Sequence, residues 1–83
     1  MAILFHPHAL ERMVERGATE GEIKATVKEG ERFTAKFGRT GFRRNFWFDA
    51  EWRAKYYQTK QIEVYAVQEG DDWLVISLLT RYF

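Results

Sequence analysis

An 83-residue chain with 13 Lys and Arg against 12 Asp and Glu has a net charge of +1, so it makes one small domain and is no polycation. It has no cysteine, hence no disulfide, a composition that fits a reducing cytoplasm. Aromatic residues make up 17% of it, and rings that each bury about 150–250 Å² offset the modest core of so short a chain.

Residues Ala2 to Phe5 form a short apolar lead-in, a candidate strand. No apolar run reaches the roughly 18–20 residues that cross a bilayer, and the opening lacks the basic start of a signal peptide. The expectation is a cytoplasmic protein without membrane contact. Pro7 suits the first turn of a helix running to Arg16, with Gly17 as its stop. Ala9, Leu10, Met13 and Val14 follow helical spacing and predict its inner stripe. His8, Arg12 and Arg16, four apart, share another side. Thr19-Glu20-Gly21-Glu22 reads as a capping box for a second helix to about Glu29. Its apolar stripe, Ile23 and Val27, is thin and needs packing from elsewhere.

The period then changes to two. Phe33, Ala35 and Phe37 alternate with Arg32, Thr34 and Lys36, and Gly38 to Gly41 reads as a turn. Phe42 to Phe48 is a second strand, with Arg44 and Phe46 on one side and Arg43, Asn45 and Trp47 on the other. Asp49 to Trp52 reads as a connector to a long strand from about Arg53 to Gln68. There Ile62, Val64 and Ala66 face one way, and Lys55, Tyr57, Thr59, Gln61, Glu63 and Tyr65 the other. Glu69 to Asp72 is a hairpin turn. Trp73 to Tyr82, apolar on both faces, reads as a central strand at least partly covered on both sides. The prediction is α+β: two N-terminal helices packed on a three- to four-stranded antiparallel sheet, as one domain over residues 1–83.

Charge is uneven along the chain. Arg32 to Lys60 carries eight basic residues against Asp49 and Glu51. Cations interleaved with rings suit RNA, whose phosphates take the cations while unstacked bases lie on the rings. Arg16, Arg44, Trp47 and Lys60 are the candidate nucleic-acid contacts. A metal-free ribonuclease needs a base, a cation on the phosphate and an acid. His8, Arg12, Arg43, Lys55 and Tyr57 have that chemistry and form the candidate catalytic set. The plainer readings stand beside these. A charged helix face is solvated by default, Arg12 and Arg16 have Glu11 and Glu15 as neighbours, and half of the rings must be core. His6 and His8 are too few for a zinc site, so no metal and no cofactor are expected.

The stretches FHPHALERMVERGATEGEI, GRTGFRRNFWF, KYYQTKQIEVYAV and DWLVISLLTRYF together resemble a widespread small bacterial domain family of unknown function. Its hallmark is a His-Ala-x-x-Arg-Met-x-x-Arg-Gly opening, which falls here on His8, Ala9, Arg12, Met13, Arg16 and Gly17. That family looks related to the RelE/barnase-like ribonucleases and toxins. The resemblance implies a RelE-like fold, RNA as target and a neighbouring antitoxin-like protein as partner, and it supplies no catalytic set. The first expectation is therefore a toxin-type RNA-binding protein or metal-independent endoribonuclease. The alternative is a non-catalytic accessory domain that binds a partner strand at an open sheet edge, or forms a homodimer through Leu78 to Phe83.

Overall fold

Local caps set both helices. In the computed structural model, which describes residues 1–83, helix α1 spans Pro7–Arg16. His6 is its N-cap, its Nδ1 accepting the His8 N–H at 3.1 Å, and Pro7 fills the first turn. Gly17, left-handed at φ 70°, closes it. Helix α2, Glu20–Glu29, opens on the expected capping box. Thr19 Oγ1 accepts the Glu22 N–H at 3.1 Å, and Glu22 Oε1 accepts the Thr19 N–H at 2.9 Å. Neither helix is long and apolar enough to cross a membrane.

Five strands complete the domain: β1 (Ile3–Phe5), β2 (Glu31–Thr34), β3 (Thr40–Trp52), β4 (Lys55–Glu69) and β5 (Asp72–Tyr82). They form one sheet in the order β1-β5-β4-β3-β2. The α+β class holds, but the sheet has five strands instead of three or four, and it is mixed. β2 to β5 are antiparallel neighbours, and β1 pairs parallel to β5, with Ile3 opposite Trp73 and Phe5 opposite Val75. The candidate strand at Ala2 to Phe5 is β1, and its parallel pairing with β5 has no local signal in three residues.

Asp49 to Trp52 belongs to β3 and is no connector. A bulge between Trp47 and Ala50 lets the strand continue. The turn lies at Arg53 and Ala54, both at positive φ, as a two-residue hairpin loop requires. At the next hairpin Tyr65 pairs with Ser77 and Ala66 with Val75, leaving Ile76 as an extra residue in β5.

Both helices pack on the same face of the sheet, α1 over β5 and α2 over β3 and β4. Ala9, Ile23 and Val27 there meet Phe42, Ile62, Val64, Val75 and Leu78. Burying side chains of this size stabilises by about 1.5–3 kcal/mol each. Phe42 meets Trp73 edge to face, with ring centroids 5.0 Å apart. The inner stripe of α1 differs from expectation. Ala9 and Met13 face the sheet, while Leu10 is exposed and Val14 is 83% exposed. Alanine lets the helix approach β5 closely, and that approach turns the leucine and valine outward. β5 is an inner strand, between β1 and β4, but a helix covers only one of its faces.

The turn between the helices is held by contacts a side chain would break. At Gly17 a Cβ would run into Trp52 and the Tyr82 hydroxyl, and φ there is positive. At Gly21, on the outside of α2, a Cβ meets nothing within 4 Å. Gly17→Ala is therefore expected to destabilise by about 2 kcal/mol or more, and Gly21→Ala to stabilise by about 0.5 kcal/mol. Urea unfolding of the two variants checks this. Equal midpoints would contradict it.

Candidate functional site

The face of the sheet away from the helices has no second layer. Pairing register arranges it in rows. Phe33, Gly41, Tyr65 and Ser77 form one row across β2 to β5. Glu31, Arg43, Glu63 and Leu79 form the next, followed by Asn45, Gln61 and Arg81. The Phe33 ring lies over Gly41, where any Cβ would collide with it.

Glu63 is the centre of this face. It is 4% exposed, although no helix covers it. Its Oε2 accepts from Arg43 Nε at 3.1 Å and from Arg81 Nη1 at 2.8 Å, and its Oε1 accepts from the Tyr65 hydroxyl. Arg43 also reaches Glu31 at 3.3 Å and lies over the Phe33 ring. Arg81 also donates to Gln61 at 3.4 Å, and Gln61 donates to Asn45 at 2.9 Å. Burial on its own would raise the Glu63 carboxyl. Hydrogen bonds from Tyr65, Arg81 and Arg43 outweigh it and hold the group below the usual carboxylate range. Burial and then the bond to Glu63 push the Tyr65 hydroxyl up, so it stays protonated. The arrangement is an ionised carboxylate fixed between two guanidinium groups and a phenol, on strand surface open to solvent.

The residues singled out from sequence fall into separate places. His8 and Arg12 touch each other on α1, Arg12 Nε donating to His8 Nε2 at 3.4 Å, and Arg12 pairs with Glu15 at 2.9 Å. They lie on the helix side, across the sheet from Arg43. Lys55 sits over Tyr57 at the β3–β4 tip, and Tyr57 packs on Tyr82. The Tyr82 hydroxyl donates to the Arg16 carbonyl at 2.8 Å, which brings Arg16, Lys55 and Tyr57 to one end of the molecule. Arg44 pairs with Glu29 at 3.6 Å and covers Phe46. Trp47, 71% exposed, shares the uncovered face with Arg43. Hence one pocket holding His8, Arg12, Arg43, Lys55 and Tyr57 does not form.

Lys60 requires a correction as a nucleic-acid contact. It is 4% exposed, and its Nζ donates to the Gly17 carbonyl and to Glu22 Oε1, the latter at 2.8 Å. A lysine this buried, with two of its three protons given to a helix C-terminus and an ion pair, is not presented to a phosphate in solvent. Its even-numbered phase with Ile62, Val64 and Ala66 is the sequence signal for that burial. The C-terminal stretch is likewise used within the chain. Leu78 is core, Thr80 donates to the Arg16 carbonyl, and Tyr82 stacks on Trp52 at 5.1 Å.

Sequence reasoning missed Glu63, Tyr65 and Arg81. Their signal is an acid between Ile62 and Val64 in a strand, a position that demands cationic partners when buried. Which cations answer it depends on strand register. The chain shows no significant match to any protein-family profile, curated protein or solved structure.

A carboxyl lower in the folded than in the unfolded chain stabilises fully above its ordinary value of 4.5, and that contribution is lost as pH falls through the folded value. Glu63→Gln is expected to cost about 1–3 kcal/mol at neutral pH, by leaving Arg43 and Arg81 short of a charged acceptor. The deficit should shrink as pH falls below 4.5 and through the lower folded value, where wild type protonates Glu63. Urea unfolding over a descending pH series measures this, and a deficit unchanged by pH would refute it.

Proposed function

We propose that this chain binds RNA on its uncovered sheet face and cleaves it there without a metal ion, as a toxin-type endoribonuclease. The observation that carries this reading is the pair of guanidinium groups, Arg43 and Arg81, that the Glu63 carboxylate holds side by side on the uncovered sheet face. A water molecule takes the proton of a ribose 2′-hydroxyl, and the 2′-oxygen forms a bond to the adjacent phosphorus. The bond from phosphorus to the 5′-oxygen breaks, and that oxygen leaves with a proton from water. The products are a 2′,3′-cyclic phosphate and a 5′-hydroxyl, and the proton given up to water balances the one that the leaving oxygen takes. Arg43 and Arg81 neutralise the charge that grows on the non-bridging oxygens. Both have donors to spare: Arg43 spends Nε and Nη1 on carboxylates, Arg81 only Nη1 on Glu63 and Gln61. Tyr65 fixes the carboxylate from its other oxygen. Trp47 supplies an exposed ring for a base on the same face. On this reading Arg43 and Trp47 keep the roles given them from sequence, and His8, Arg12, Lys55 and Tyr57 lie outside the reacting centre.

Purified protein incubated with a single-stranded RNA in a chelator is expected to release fragments with cyclic phosphate ends. Glu63→Gln should slow the cut by about 100-fold, the cost of misplacing the two arginines that hold the phosphate. Arg81→Ala, at an exposed position, should slow it comparably, and His8→Ala should leave it unchanged. Intact RNA, or equal rates in wild type and both site variants, would refute the reading.

One observation favours the alternative, a non-catalytic domain that takes a strand from a second copy or from an antitoxin-like protein. β2 pairs only with Thr40 to Arg43, so the outer edge of β3 beyond Arg43 has no strand neighbour. On this alternative the protein sediments as a dimer, or gains a partner strand, and leaves RNA intact. A monomer that cuts RNA excludes it.

A further inference from the structure

A cleft of about 460 Å³ opens beside Tyr65, between that residue, Ser77 and the loop that joins β2 to β3. Its size falls in the range of small-molecule sites, about 300–1,000 Å³. Tyr65 belongs to both places: its hydroxyl bonds Glu63 and its ring lines the cleft. Phe33 stands edge-on to Tyr65, with centroids 6.4 Å apart. Across the opening is Phe37, 86% exposed and at φ 62°. A phenylalanine in left-handed backbone is strained, and such strain persists where surroundings impose it. Here the loop is braced by two backbone bonds, Ala35 N–H to the Arg39 carbonyl at 3.0 Å and Arg39 N–H to the Lys36 carbonyl at 3.3 Å. The result is a ring held into solvent with nothing packed on it but the Arg39 guanidinium, 5.8 Å from its centroid. Lys36 and Arg39 line the same cleft, and neither has a carboxylate partner, in contrast to Arg43 and Arg81.

We propose that this cleft is a subsite for a single nucleobase of RNA, stacked against Phe37, with the attached phosphate on Lys36 and Arg39. The proposal rests on the RNA reading above and assigns where the nucleotide next to the cut is held. Three features select this occupant. Flat apolar walls suit a base, and two unpaired cations at the rim suit its phosphate. The Ser77 hydroxyl offers a hydrogen bond to a base edge. The shared Tyr65 makes the subsite continuous with Glu63, so a strand of RNA seated in one reaches the other.

The test uses the intact chain and the four nucleoside 5′-monophosphates, with ribose 5-phosphate as the probe that lacks a base. Amide shifts in NMR spectra are expected at Lys36, Phe37, Arg39 and Ser77 with the nucleotides, and with the sugar phosphate at Lys36 and Arg39 alone. Phe37→Ala, an exposed change that relieves no core contact, should weaken nucleotide binding by about fivefold or more, the loss expected when one stacking partner goes. Lys36→Glu with Arg39→Glu should weaken it through the phosphate. No shifts at ~10 mM nucleotide, a concentration that detects even millimolar affinity, would overturn the subsite. Equal shifts with ribose 5-phosphate, or cleavage of RNA by Phe37→Ala with an unchanged KM, would also overturn it and leave the RNA reading standing. Nucleotide binding in the cleft by a protein that cuts no RNA would support the subsite and refute the cleavage.

Discussion

Two helices of ten residues are the whole second layer this chain possesses. At 1.5 Å per residue each is about 15 Å long, enough to cover one face of a five-stranded sheet and no more. The apolar members of β3, β4 and β5 accordingly point to that side, and polar contacts fasten the helix ends there. Lys60 makes two of them. It reaches from the middle of the sheet to the end of α1 and the beginning of α2 at once. A cation there answers the partial negative charge at the C-terminus of α1, while Glu22, already part of the α2 cap, closes the pair. Replacing that lysine with any shorter side chain would remove the bonds from β4 to both helix ends.

The other face has to satisfy itself without a covering layer. It does so with side chains that cover one another: Arg43, Arg81 and Tyr65 wrap Glu63 so completely that a carboxylate on open strand surface is nearly out of water. Four strands are tied together through this one group, since Glu31 on β2 joins by way of Arg43. Taking one partner out of such a set costs more than the set contributes as a whole, because the remaining charges are left desolvated. Stability and chemistry thus draw on the same residues. A substrate phosphate that recruits the arginines would loosen the clasp that joins the strands, unless their spare N–H groups take it.

Local information in the sequence carried far. Caps are local, so Pro7, Gly17, Thr19 and Glu22 locate both helices from the chain alone. Alternation is local too, and it places Arg43, Asn45 and Trp47 opposite Arg44 and Phe46. What a helix packs against is not local. Ala9 and Leu10 are equally good stripe residues by spacing, and only the height of β5 under α1 decides that the smaller one goes inside. Ion partners are less local still. Arg43 and Glu63 are 20 residues apart and Lys60 and Gly17 are 43 apart, so charges that look free along the chain are already engaged in the fold. The candidate site suffered most from this. Its cations were visible, and the carboxylate that organises two of them was not, because an acid inside a strand has no meaning before the register is known.

The parallel pairing of β1 with β5 has a kinetic consequence. Residues 3–5 have no other neighbour in the sheet than residues 73–75, so β1 cannot pair until β5 is in place. Both helices and three strands can assemble before that closure, and the Trp73 N–H bond to the Ala2 carbonyl and the Ala2 N–H bond to Asp72 form only with it. Contacts across nearly the whole chain carry the largest loop-closure entropy available to a domain of this length. Folding therefore leaves β1 an unpaired segment until residues 73–75 join the sheet.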